Sequence, residues 1–494
     1  MRDYTIFIPE FIAGGAAILI IALELTFPKL RRDLLAYLTA AAGVGWIVAS
    51  CLYIGKDDNS FQGLIQQDNF TTYFRILAGG VVAVTALLSA HYLQDRTKTH
   101  AEYYGLLLTA GIGTVYMAAA RELITAYISL ELLSFSLYIL VGYLKRDALS
   151  AEASLKYILL GAFSSAILLY GFSLIYGVTQ SLSYDGIAAA LAERGGGTDP
   201  AVVVGFMLII TGVGFKVAAA PFHMWSPDAY EGAPLPITAF LSTLSKAAGF
   251  ALFLRLFTSA IVVDAVEWRW AIALLSAFTM VLGNLLAIQQ KSLKRLIAYS
   301  SIGQVGYMLV VIAAIGYGDA EVGRNASSAL LLHMTGYIIS TLALFTALIA
   351  YYNRTGKDTI EGLRGLAETQ PFLALIVTVS LFSFAGLPFF AGFATKLFMF
   401  QSSTTDGLLW LVALAVINSF VSLYYYLMVL RQVYLFDPEG EKKRIHVGPV
   451  LLGLGAVLTA AVVAIGVYPG PFFEAVEHAT EPLYAQGADT LVAR

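Results

Sequence analysis

Fourteen stretches of roughly 20 predominantly apolar residues follow one another along the chain, each long enough to cross a bilayer as a helix. Their approximate limits are 7–27, 34–54, 71–92, 102–120, 123–143, 154–176, 201–220, 235–259, 270–288, 296–315, 327–351, 371–402, 408–430 and 447–468. In hydrocarbon, backbone N–H and C=O groups must be satisfied within the spanning segment, so stretches of this length form helices. The pattern therefore predicts an all-α polytopic membrane protein of about 14 transmembrane helices, organised as a single membrane domain over residues 1–494. Only 13% of the residues are charged, about half the share of a soluble protein, which agrees with lipid as the solvent. The twelfth stretch is too long for one straight span and contains Gly386, Leu387 and Pro388 in its middle, so two half-helices around a break are expected there. The N-terminal stretch lacks a small-residue cleavage site and is expected to stay as a first helix.

Loop charges set the expected orientation. Loops after the first, third, fifth, ninth, eleventh and thirteenth stretches hold 17 lysines and arginines against 5 on the opposite side. Basic residues concentrate in cytoplasmic loops, so both termini are expected to face away from the cytoplasm. The net charge of -3, with basic residues scattered, gives no footing for nucleic acid. Cys51 is the only cysteine, which excludes an intramolecular disulfide and an iron–sulfur cluster held by this chain alone. Six histidines without carboxylate spacing make no metal site, and no phosphate-binding loop or nucleophile elbow is present.

Chemistry is then sought among charges inside the apolar stretches: Arg75, Lys156, Lys216, Lys246, Arg255, Lys396 and the acidic Glu131. Ionisable groups at membrane depth are costly and usually serve a function. Lysine suits proton handling, because a buried ammonium can release its proton whereas arginine stays charged. Lys216, Lys246 and Lys396 are the strongest candidates, and Glu131 is expected to pair with Lys216. Arg75 and Arg255 lie nearer span ends and are expected to snorkel to the interface. Lys156, at the start of the sixth stretch, is intermediate. His333 inside the eleventh stretch and His223 beside Pro221 are candidate proton shuttles. Lysines beside helix-breaking prolines and glycines in the seventh and twelfth stretches suggest broken helices next to water-accessible cavities and a buried repeat. Residues 179–200 are expected to form a short surface helix and a glycine turn.

The run KVAAAPFHMWSPDAYEGAPLPITAFLSTLSKAAGF closely resembles the signature of the antiporter-like membrane subunits of proton-pumping respiratory complex I. ISLELLSFSLYILVGY, QKSLKRLIAYSSIGQVGYML and FAGLPFFAGFATKLF agree with the same family, and the likeness covers nearly the whole chain. A lysine at position 396 and the chain's length fit the N type of NADH:quinone oxidoreductase subunit better than the M or L type. The resemblance implies two inverted five-helix repeats, over 102–259 and 270–430, with spans 7 and 12 broken. It implies a Glu131–Lys216 ion pair, Lys246 as central proton carrier, Lys396 as terminal carrier, and Lys156 and His333 on the connecting axis.

By the same resemblance the expected function is proton translocation by a non-redox subunit, driven by quinone reduction elsewhere in the complex. NADH or another donor, FMN, iron–sulfur clusters and quinone are expected in partner subunits and no cofactor in this chain. The expected neighbours are other membrane subunits, among them the M-type subunit and the small K-type subunit, in a bacterial inner membrane. A subunit of a Mrp-type sodium/proton antiporter and a scaffold with a vestigial polar axis are the competing readings.

Overall fold

The computed structural model describes residues 4–27, 31–60, 63–193, 199–261, 265–315, 319–405, 407–438 and 446–485. In chain order the first helices are α1 (Ile8–Thr26), α2 (Arg32–Cys51), α3 (Asn69–Tyr92), α4 (Ala101–Ala119), α5 (Leu123–Val141), α6 (Ala148–Thr179) and α7 (Tyr184–Glu193). Then come α8 (Pro200–Val217), α9 (Trp225–Gly232), α10 (Leu235–Phe240), α11 (Lys246–Ser259), α12 (Ala265–Ile288), α13 (Leu293–Ile315) and α14 (Ala320–Thr355). The last are the single turn α15 (Leu366–Thr369), α16 (Pro371–Ala385), α17 (Ala391–Ser402), α18 (Leu409–Leu435), α19 (Pro449–Val467) and α20 (Gly470–Thr480). A π turn, Leu241–Ser245, joins α10 to α11 into one rod.

Among the described residues, 12 helical segments are long and apolar enough to cross a membrane, and the chain is an integral multi-pass membrane protein. Two expected spans fall outside that set for physical reasons. Helix α4 has the length, but Glu102, Tyr103, Tyr104 and three glycines dilute its apolar content. The twelfth stretch is divided into α16 and α17, each shorter than a bilayer core. An antiparallel hairpin, β1 (Asp58–Ser60) and β2 (Ile65–Gln67), corrects the purely helical expectation, with Asp58 opposite Gln67. Three-residue strands are too short to leave a period in the sequence. Helix α7 occupies the expected surface position, while residues 194–198 of the expected glycine turn lie outside the described residues.

The rod Leu235–Ser259 is buried along its whole length, and α13 nearly so. Around them α1, α6 and α18 turn apolar side chains outward, such as Ile18, Phe163 and Phe420. Apolar groups on the outside are stable where lipid or a partner chain covers them, so the polar centre of this molecule is the part that needs explanation.

Candidate functional site

Two interrupted helices frame the centre. Helix α8 ends at Val217, Ala218 enters the left-handed region at φ 63°, and Pro221 prevents continuation. Ala218 N–H donates to the Phe215 carbonyl at 3.0 Å and Ala219 N–H to that of Gly214 at 2.7 Å. The Trp225 indole also donates to the Phe215 carbonyl, at 2.9 Å, and Ala220 N–H reaches Thr279 Oγ1 on α12 at 3.0 Å. The second interruption repeats the device where the sequence reads Gly386-Leu387-Pro388. Gly386 takes φ 82°, and both its N–H and that of Leu387 donate to the Phe382 carbonyl, at 3.1 and 3.0 Å. Both breaks thus close with a left-handed cap. The Phe384 carbonyl in the last turn of α16 is left for side chains.

Three buried lysines stand at or between these breaks. Lys216, in the last turn of α8, donates from Nζ to Ser134 Oγ on α5 at 2.9 Å. A cavity of about 10 Å³ adjoins it, lined by Ser134, Tyr138, Tyr157 and Ser165, with room for about one water. The expected Glu131–Lys216 ion pair is not in contact. Ser134 stands one turn beyond Glu131 on α5 and takes the ammonium, while Glu131 Oε1 is buried without a hydrogen-bond partner among the described residues. Glu131 remains within electrostatic range of Lys216.

Lys246 is 3% exposed and sits directly after the π turn, donating to Ser301 Oγ on α13 at 2.7 Å. Nearby on α9 and the π turn, Ser226 Oγ, Tyr230 OH and Ser245 Oγ are buried polar atoms without partners among the described residues. Lys396, on α17, donates to the Phe384 carbonyl at 2.8 Å and to Ser419 Oγ on α18 at 3.0 Å, with the Tyr307 ring centroid 4.7 Å from Nζ. Each lysine is therefore held by neutral oxygens, without a carboxylate in contact.

The histidines divide. His333 of α14 shares a hydrogen bond of 2.9 Å between Nδ1 and Thr395 Oγ1, beside Lys396, and its Nε2 is buried and unpartnered. His223 lies in the first break, its ring 6.4 Å from that of Tyr299. Lys156 is away from this line: its side chain is 45% exposed and pairs with Glu152 at 2.6 Å and Asp228 at 2.9 Å. Arg295 adds a bond to Asp228 at 2.8 Å. Partial burial works against ionisation of Asp228, yet the hydrogen bonds from Lys156 and Arg295 hold its carboxyl below the usual carboxylate range.

The expectation that Arg75 and Arg255 snorkel is corrected. Arg75 is buried and grips Glu10 of α1 with two bonds, 2.6 and 2.9 Å, and also bonds Gln67 Oε1. Arg255 is buried and grips Asp68 with two bonds, 2.6 and 2.9 Å, while its Nε donates to the Ala118 carbonyl. A planar guanidinium matched by two carboxylate oxygens is satisfied without reaching water. Glu10 and Asp68 carried no signal in the sequence, because nothing local marks a partner 65 or 187 residues away. Among the described residues, no group of three or more histidine, cysteine or acidic side chains could hold a metal ion.

The family described as NADH:quinone oxidoreductase/Mrp antiporter, TM, matches residues 120–422. The chain is similar to NADH-quinone oxidoreductase subunit N of Dehalococcoides mccartyi, 39% identical, over 96% of this chain and 99% of that relative. Among solved structures it is similar to a chain of respiratory complex I from Thermus thermophilus, with TM-score 0.80 and 31% identity, covering 95% of this chain and all of that one. A chain of the Mrp complex from a Dietzia species gives TM-score 0.82 at 21% identity, covering 98% of each, a likeness of fold alone.

Proposed function

This chain belongs to the NADH:quinone oxidoreductase/Mrp antiporter transmembrane family, as a proton-translocating membrane subunit of a complex I type oxidoreductase, and from that premise we propose that its protons travel by way of Glu131, Lys216, Lys246 and Lys396. The observation that carries this reading is the set of three buried lysines at or between two helix breaks, each bonded to neutral oxygens and free of a contacting carboxylate. A lysine so placed can exist as ammonium or amine, and a charge moved nearby decides which.

The proposed step starts with quinone reduction in a partner subunit. It shifts Lys216 between Ser134 and Glu131, which changes the field at Lys246. Lys246 then gives its proton up towards Lys396, beside which His333 lies. Moving one charge against 100 mV costs about 2.3 kcal/mol. A change of between one and two pKa units, at about 1.4 kcal/mol each, supplies that much.

The cofactors of the complex reside in other subunits, and we propose that this chain binds none, in keeping with its single cysteine. Its partners are other membrane subunits of such a complex, and the proposed neighbours are the M-type and K-type subunits. We further propose 14 membrane spans in two inverted repeats, 102–259 and 270–430, in a bacterial inner membrane with both termini outside the cytoplasm. The paired left-handed caps at Ala218 and Gly386 and the loop charges support this arrangement. The test is the assembled complex in proteoliposomes. Lys246→Ala or Glu131→Ala is expected to lower the number of protons pumped per electron, and an unaltered ratio in both defeats the carrier assignment.

A further inference from the structure

Between Lys246 and Lys396 the side chains in hydrogen-bond contact come mainly from α13. Ser301 accepts from Lys246 Nζ at 2.7 Å. One turn later Gln304, buried at 2% exposure, donates from Nε2 to the Phe384 carbonyl at 3.1 Å. That carbonyl is the one Lys396 Nζ also uses, at 2.8 Å. A further turn on, Tyr307 sets its ring against Lys396 Nζ. Positions 301, 304 and 307 are three apart and line one helix face. The other half of the Gln304 amide, Oε1, is buried without a partner among the described residues. His333, the expected connector, reaches only Thr395 by hydrogen bond among the described residues and bonds neither Lys246 nor Ser301.

Helix ends leave four carbonyls without intrahelical partners, and at membrane depth each must be satisfied. The Phe384 carbonyl has two donors of unequal kind, one an ammonium that loses its charge when it passes a proton on and one a neutral amide that does not. We propose that Gln304 is a positioning residue of the proton path. It holds the Phe384 carbonyl in place while Lys396 alternates between amine and ammonium, and its amide oxygen stays buried without a hydrogen-bond partner among the described residues. The proton leaves Lys246 as that group becomes the amine and arrives at Lys396 as that group becomes the ammonium; Gln304 is unchanged at the end. This rests on the carrier reading given above.

The experiment uses the assembled complex in proteoliposomes and measures quinone reduction and protons pumped per electron together. Gln304→Met keeps length and volume and removes both hydrogen-bonding functions. It is expected to leave quinone reduction intact and to lower the proton ratio to the value of Lys396→Ala, and the double variant to fall no further. Gln304→Glu, which puts an acceptor where the Phe384 carbonyl needs a donor, is expected to reproduce the loss, and Gln304→His, which restores a donor, to recover part of the ratio. A normal ratio in both Gln304→Met and Gln304→Glu alongside a lowered ratio in Lys246→Ala overturns the role of Gln304 and leaves the carrier line standing. A normal ratio in Lys246→Ala overturns both. Should Gln304→Met prevent assembly, the Gln304→Glu and Gln304→His pair decides by the same criteria.

Discussion

The two interrupted helices differ in what satisfies the carbonyl exposed by the break. In the first, the Phe215 carbonyl is taken by the Trp225 indole and by the backbone of Ala218, and Lys216 is left with a single serine hydroxyl. In the second, the Phe384 carbonyl is taken by Lys396 itself together with Gln304. A lysine with one neutral acceptor and a carboxylate within electrostatic range has somewhere else to go. A lysine bonded to the break, a serine and an aromatic face does not. The same local device therefore leaves a lysine with one bond at the first break and a lysine held on three sides at the second.

Sterics point the same way, and the largest test of the comparison is there. An added Cβ on Gly392 would fall 1.6 Å from the Ser383 carbonyl oxygen, which cannot yield without moving the break. Gly392→Ala is expected to destabilise the subunit by more than about 3 kcal/mol. At the first break, Gly214→Ala meets the Phe222 ring at 3.2 Å and Ala219 Cβ at an ordinary 3.8 Å, and alanine's helix preference of about 1 kcal/mol offsets the contact. Thermal release of the subunit from the purified complex separates the two, and equal losses would erase the contrast. Next in size is Trp225→Phe, which keeps the stacking on Tyr157 and removes one donor from the Phe215 carbonyl. A cost of about 1–2 kcal/mol in the same melting assay is expected. No cost would mean that Ala218 N–H alone suffices.

Of similar size is the first of the pair Gly386→Ala and Ala218→Gly. The left-handed region costs an L-residue about 1–2 kcal/mol, so the first change is expected to destabilise by about that much. Its new Cβ would also lie 3.3 Å from Lys396 Cδ, so pumping falls with stability. The reverse change at Ala218 relieves the same strain, offset by glycine's chain entropy, and stays within about 1 kcal/mol of neutral. The smallest effect is expected from Lys156→Ala. Its ion pairs are exposed, so the proton ratio measured in proteoliposomes should not change.

Much of this was legible in the sequence. Apolar length gave the membrane class, and a lysine beside a proline or glycine marked both breaks, since each depends on residues within one turn of one another. What could not be read was pairing across the chain. Arg75 and Arg255 look like interface residues until Glu10 and Asp68 are folded against them. Ser134, Ser301 and Ser419 are ordinary hydroxyls until three lysines arrive from other helices. Lys156 reads as intermediate because an apolar window does not say which side of the helix faces a carboxylate. Gln304 lay inside a family motif with no charge to draw attention.

The π turn before Lys246 has a consequence of phase. An α-helix advances about 100° per residue, so a residue four places on stands nearly above its predecessor. A π turn spends one residue more on each closure, and everything after it is rotated by roughly that angle about the rod. In an unbroken α-helix Lys246 would stand over Ser242; with Leu241–Ser245 wound as π, its Nζ meets Ser301 on α13 instead. One residue of extra winding thus sets the compass bearing of the central lysine: rewinding the same residues as α would point it at a different wall of the molecule, whereas deleting one residue from the turn would let it close as α and keep the bearing.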